Sequence, residues 1–116
     1  MQPLGVHHVS INVGDADEAI AFYTDVLGLT VRDDRPDFPF GGAWLDVGGQ
    51  QVHLLEIDVP DDKGQHFAIR VSDLDAAVAE LRSRDVTVTD PSPVGTSRQS
   101  FLHDPSGNRI ELHQPA

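Results

Sequence analysis

Three histidines and one glutamate carry the chemical potential of this chain, because they fall in two pairs with a common spacing. His66 follows His8, and Glu111 follows His53, by the same 58 positions (66 − 8 and 111 − 53), half of the 116 residues. Imidazole nitrogens and a carboxylate oxygen are donors for a borderline divalent cation, and with no cysteine the chain has no thiolate to offer. The set suits Zn, Mn, Fe, Co or Ni and does not choose among them. Positions on such an ion not filled by protein can take two oxygens of a chelating substrate, and its charge polarises a substrate oxygen. Glu111 is then both ligand and candidate general base. It is the one carboxylate of the four, able to leave the metal, take a proton from carbon beside a polarised carbonyl and return.

The same offset runs through the chain around these residues. It matches Ile11 to Ile69, Val13 to Val71, Asp15 to Asp73, Asp17 to Asp75, Ala19 to Ala77, Asp46 to Asp104 and Leu54 to Leu112. A repeat this regular implies a duplicated structural unit.

The elements that must position the four residues follow from periodicity. Residues 6–13 alternate, so a strand sets Val9, Ile11 and Val13 on one face and His8, Ser10 and Asn12 on the other. A helix to cover the apolar face follows: Asp15 with Glu18 forms a capping pair, Ala19, Ile20, Tyr23, Val26 and Leu27 recur at helical spacing, and Gly28 suits the position after the helix. Leu29–Arg32 reads as a short strand, 33–42 as a loop with two prolines and two phenylalanines, Ala43–Val47 as a strand, and Gly48-Gly-Gln as a hairpin turn. Gln51–Ile57 completes a βαβββ unit, with His53 and Leu55 facing away from Val52, Leu54 and Glu56. Glu56 is the rival of His53 as a donor, and a bulge in this strand would exchange their roles.

The second unit repeats the first. His66–Val71 is a strand, Asp73 caps a helix with Leu74, Ala77, Val78 and Leu81 inward, and Asp85 takes the left-handed position after it. Val86–Thr89 is expected as a strand, Pro91-Ser-Pro as a loop, Gln99–His103 as a strand, Asp104-Pro-Ser-Gly as a turn and Asn108–His113 as the last strand. The expected organisation is one domain over 1–116, with module one at 6–57, a linker at 58–63 and module two at 64–114. The fold class is α+β, with two tandem βαβββ modules whose mixed sheet curls around a central cup.

Composition narrows the partners. Nineteen acidic against eight basic residues give a formal charge of −11, which repels nucleic-acid backbones and anionic membranes. The start Met-Gln-Pro-Leu-Gly lacks a basic region followed by an apolar run, and no segment approaches membrane-spanning length, so cytoplasm is the default expectation.

Four stretches, HHVSINVGDADEAIAFYTDVLGL, WLDVGGQQVHL, HFAIRVSDLDAAVAEL and FLHDPSGNRIELH, resemble the vicinal-oxygen-chelate superfamily of glyoxalases, bleomycin-resistance proteins and extradiol dioxygenases. The resemblance spans nearly the whole chain. It implies paired βαβββ modules around one divalent metal, with ligands at His8, His53, His66 and Glu111, and a homodimer with two sites. His53 stands where glyoxalase I resembles a site with a carboxylate or amide-type ligand. The function implied is a metal-assisted isomerase or lyase step on a small substrate with vicinal oxygens. Two alternatives go with the same resemblance: a metal-free antibiotic-binding protein of the bleomycin-resistance type, and a fosfomycin-resistance-like thiol transferase using His8, His66 and Glu111. Against the transferase, the one lysine, Lys63, lies in the linker.

Other side chains have two readings each. Phe38, Phe40 and Trp44 line a substrate pocket or pack in the core. Arg70 and Arg98 grip an anionic substrate group or form surface salt bridges. His7, His103 and His113 are read as structural.

Overall fold

In the computed structural model, which describes residues 1–116, the chain forms two compact units, Met1–Pro60 and Asp61–Ala116. The first contains β1 (His8–Val13), α1 (Ala16–Ala21) running into a π-helical turn (Phe22–Val26), β2 (Thr30–Val31), β3 (Gly42–Val47) and β4 (Gln50–Glu56). The second contains β5 (His66–Arg70), α2 (Leu74–Ser83), β6 (Ser92–Val94), β7 (Ser97–His103) and β8 (Arg109–Gln114). Both are βαβββ and the class is α+β. Their four-stranded sheets have equivalent orders, β1-β4-β3-β2 and β5-β8-β7-β6. In each, the first strand runs parallel to the last and the remaining pairs are antiparallel.

The register repeats with the sequence. His8 pairs with Gln51 and Ser10 with His53 in one sheet, and His66 pairs with Arg109 and Ala68 with Glu111 in the other. One face of each sheet is covered by its helix and the other carries the donors. Leu45, Val52, Leu54, Ala19 and Tyr23 are buried on the covered side of the first unit, and Leu102, Ile110, Leu112, Leu74, Val78 and Leu81 on that of the second.

The helices begin where the sequence expects. Asp15 Oδ1 accepts the Glu18 amide at 3.0 Å and Asp73 Oδ1 accepts the Ala76 amide at 3.0 Å, each satisfying a donor the helix cannot pair internally. A second clasp comes from the end of each sheet. Glu56 Oε2 takes the Ala16 amide at 2.6 Å and Gln114 Oε1 the Leu74 amide at 2.7 Å, positions that again differ by the repeat offset. This commits Glu56 to the helix side, opposite His53.

Two expectations are corrected. Val86–Thr89 is not a strand: Val88 turns into the core, its carbonyl is taken by Arg82 Nη2 at 2.8 Å, and Thr89 meets Phe101 through one amide and one side-chain bond. The strand lies instead at Ser92–Val94, overlapping the expected loop Pro91-Ser-Pro, where Pro93 is tolerated because β6 is an edge. The first helix is also shorter than its apolar stripe. After Ala21 the ladder widens to a Leu27 amide bond with Phe22 oxygen at 3.1 Å, and Thr24 Oγ1 bonds back to Ile20 oxygen at 2.7 Å. Asp85 does adopt the left-handed conformation, at φ 61°. No helix is long and apolar enough to cross a membrane.

Candidate metal centre

The donor face of the first unit is built from stacked rings. Trp44 lies directly opposite His53 across β3 and β4, with centroids 4.3 Å apart, and His8 covers the other side of the same imidazole at 4.0 Å. His53 is therefore only 7% exposed. Burial, helped by the neighbouring imidazoles of His8 and His7, holds its pKa below the ordinary histidine value, so it is neutral at pH 7. Its Nε2 meets Gln51 Oε1 at 2.8 Å; with that oxygen accepting, Nε2 carries the proton and Nδ1 the lone pair. His7, just before β1, reaches this cluster through its neighbour, its Nδ1 lying 2.9 Å from His8 Nδ1.

The loop before β3 continues the row. Phe38 and Phe40 stack at 5.2 Å, Phe38 lies 6.4 Å from Trp44, and the Arg35 guanidinium stands 5.0 Å over the Phe38 ring while donating to the Phe40 carbonyl at 2.9 Å. Phe38 is 40% exposed and Trp44 partly buried, so both are open to a ligand as rings. Arg35 was not legible as part of this group, since nothing in a Pro-rich loop marks which aromatic faces a cation will find.

The second unit presents a carboxylate held between two imidazoles. His66 Nε2 lies 3.0 Å from Glu111 Oε1, and His113 Nδ1 lies 2.7 Å from Glu111 Oε2. The Glu111 residue is 8% exposed. His66 Nδ1 is 2.9 Å from the Gly64 carbonyl, which can only accept, so Nδ1 carries a proton and a neutral His66 turns its lone pair toward Glu111. Phe101 packs edge-on to His66 with centroids 5.4 Å apart. No group of three or more His, Asp or Glu side chains is arranged to hold a metal ion.

The sequence candidates thus meet pairwise, His8 with His53 and His66 with Glu111. The two arginines divide. Arg70 is exposed on the face of its strand that carries His66, whereas Arg98 lies on the helix-covered side, where its fork is filled by Asp75 of α2 at 2.9 and 3.0 Å. Of its two readings, the ion pair is the one realised. Among the histidines read as structural, His103 fits that reading, since it binds Asp62 at 2.8 Å beside Arg109. Those partners and the Gly64 amide hold the Asp62 carboxyl down at about 2, His103 being the largest cause. His113 does not fit it, because its ring faces Glu111. Its same-face position two residues on was the available signal.

The family model for the Glyoxalase/Bleomycin resistance protein/Dioxygenase superfamily matches residues 5–112. The chain belongs to that superfamily. A Vibrio cholerae protein named as a probable lactoylglutathione lyase is 34% identical over 92% of this chain and 88% of its own length. Among solved structures, a Bacillus anthracis protein assigned to the glyoxalase family superposes with TM-score 0.85 at 28% identity, covering 100% of this chain and 98% of that one. TnmS3, an antibiotic binding protein from Streptomyces, superposes with TM-score 0.81 at 28% identity, covering 100% and 99%. Both neighbours share the fold over essentially the whole of this chain.

Proposed function

We propose that the chain is a metal-dependent enzyme of the glyoxalase kind, acting on a small substrate with two adjacent oxygens by an isomerase- or lyase-type reaction. The observation that carries this reading is the approach of His66 Nε2 to Glu111 Oε1 at 3.0 Å while the other ring nitrogen is committed to a backbone carbonyl. A lone pair and a carboxylate oxygen at that distance require a cation or a shared proton between them. A histidine that donates its second N–H to a backbone carbonyl is the usual form of a metal ligand.

The donor set fits a divalent ion. His53 is kept neutral, His66 has its lone pair fixed at Nε2, and Glu111 supplies the negative charge. His8, His53, His66 and Glu111 would hold the ion, which when bound supplies Lewis acidity toward two substrate oxygens. Glu111 acts as the base: it takes a proton from the hydroxyl-bearing carbon beside a carbonyl and returns it to the former carbonyl carbon, while the hydroxyl proton passes to the former carbonyl oxygen, so the isomerisation balances without gain or loss of atoms or electrons. The rings of Trp44, Phe38 and Phe40 flank the substrate and exclude water.

In this reading the two units form one domain and the protein works in the cytoplasm as a homodimer. The open outer edges of β1 and β5 support the dimer, since open edges need cover.

Elemental analysis of protein purified without added metal tests the proposal. Stoichiometric Zn, Mn, Fe, Co or Ni is expected, and His8→Ala and His66→Ala should each lose it. A parent that neither retains nor takes up any of these ions sinks the reading. The stacked phenylalanines and Trp44, together with the likeness to TnmS3, favour one alternative, sequestration of an aromatic small molecule. Ligand binding that survives chelation would select it.

A further inference from the structure

We infer that His113 is a positioning residue for Glu111, fixing which carboxylate oxygen is free to serve the site. The inference rests on the functional reading above. His113 lies one pleat beyond Glu111 on the same face of β8, and its Nδ1 is 2.7 Å from Glu111 Oε2, so against an ionised carboxylate that nitrogen donates. Oε1 is left toward His66 Nε2 at 3.0 Å. The carboxylate is thereby gripped at one oxygen and presented with the other.

The duplicated unit indicates that this polar contact is not required by the fold. The position equivalent to His113 is Leu55, which occupies the same register in β4 opposite Asn12 as His113 occupies in β8 opposite Arg70. An apolar side chain therefore satisfies the strand there. What differs between the two positions is the neighbour two residues back, an imidazole at His53 and a carboxylate at Glu111. A hydrogen-bond donor stands beside the residue that needs one. Outer contacts of this type hold a ligating carboxylate in one orientation, and their loss typically costs about 10–100-fold in metal affinity.

The experiment titrates Co(II) into the full chain by calorimetry, with the visible spectrum of the bound ion recorded alongside, for the parent, His113→Leu, His113→Asn and Glu111→Ala. His113→Leu should fold with a melting temperature near the parent's, bind Co(II) about 10–100-fold more weakly and show a shifted spectrum. His113→Asn, whose amide nitrogen takes the place of Nδ1, should recover most of the affinity and the parental spectrum. Parental affinity in His113→Leu, or an Asn variant as weak as the Leu variant, overturns the inference while leaving the metal reading intact. A parent that binds no Co(II), with Glu111→Ala indistinguishable from it, overturns the metal reading and this inference together.

Discussion

His53 and Glu111 occupy one position twice, each opposite the third residue of its unit's first strand, Ser10 or Ala68, and yet their surroundings are built from different forces. His53 is held by flat contacts, with His8 at 4.0 Å on one side and Trp44 at 4.3 Å on the other. Glu111 is held by directed polar contacts, Oε2 taking the His113 Nδ1 hydrogen bond at 2.7 Å and Oε1 facing His66 Nε2 at 3.0 Å. Burial suits the first, because it favours a neutral ring, whereas a buried carboxylate needs donors before it can remain charged. The backbone can be copied while the chemistry diverges, provided each new side chain brings its own support. The contacts that did not diverge serve the fold: the Asp15 and Asp73 caps at the helix starts, and the side-chain oxygens of Glu56 and Gln114 beneath them.

The sharpest way to break this comparison is to remove the charge that distinguishes the second unit. Glu111→Gln should lower turnover, once a substrate is known, by about 10²–10⁴-fold while retaining most of the metal measured by elemental analysis. Turnover at the parental rate would return the base to some other residue. A second contrast concerns the backbone. A Cβ added at Gly42 would lie 2.0 Å from the Leu54 carbonyl oxygen, with φ at 151°, whereas the equivalent position of the second unit accommodates Ser100, fully buried. Gly42→Ala should therefore cost about 3 kcal/mol or more in chemical denaturation, while Ser100→Ala should be near neutral, because the Ser100 hydroxyl is buried without a partner.

Smaller effects test what the units share. Asp15→Ala and Asp73→Ala should each cost about 1 kcal/mol, read from the midpoint of thermal or denaturant unfolding; a large difference between them would mean that one helix relies on its sheet clasp more than the other. The smallest effect belongs to Asp62, whose carboxyl is held at about 2 by His103, the Gly64 amide and Arg109. A depressed acid stabilises the fold above its unfolded pKa, near 4, and loses that contribution as pH falls toward 2. Asp62→Asn should accordingly lower stability at pH 5–6 and converge on the parent near pH 2 in acid denaturation curves. An offset that stays constant over this range would show that shape, and not charge, anchors the segment.

Much of this was readable in the sequence because the same signals appear twice. Strand alternation set His8 and His66 away from the apolar face, and the aspartates before each helix gave both starts. The ends of elements were harder. Val86-Thr-Val-Thr has the composition of a strand, but Val88 is drawn into the core and Arg82 takes its carbonyl, which local propensity does not register. The π-turn after Ala21 depends on Thr24 bonding backward, a choice an apolar stripe does not reveal. At the site, donor types and parity identified the pairs and put His113 on the face of Glu111, while the supporting residues Gln51 and Arg35 are defined by contacts and so emerged with the fold.

The clasps under the helices also set an order in time. Ala16 and Leu74 each receive their side-chain partner from a residue 40 positions further along the chain, the last of its unit's final strand. During synthesis each helix therefore emerges well before the group that pins its start, and it can lock only when β4 or β8 has been made. The first unit can close while the second is still on the ribosome, and each closes at its final strand, like a strap fastened at its last hole.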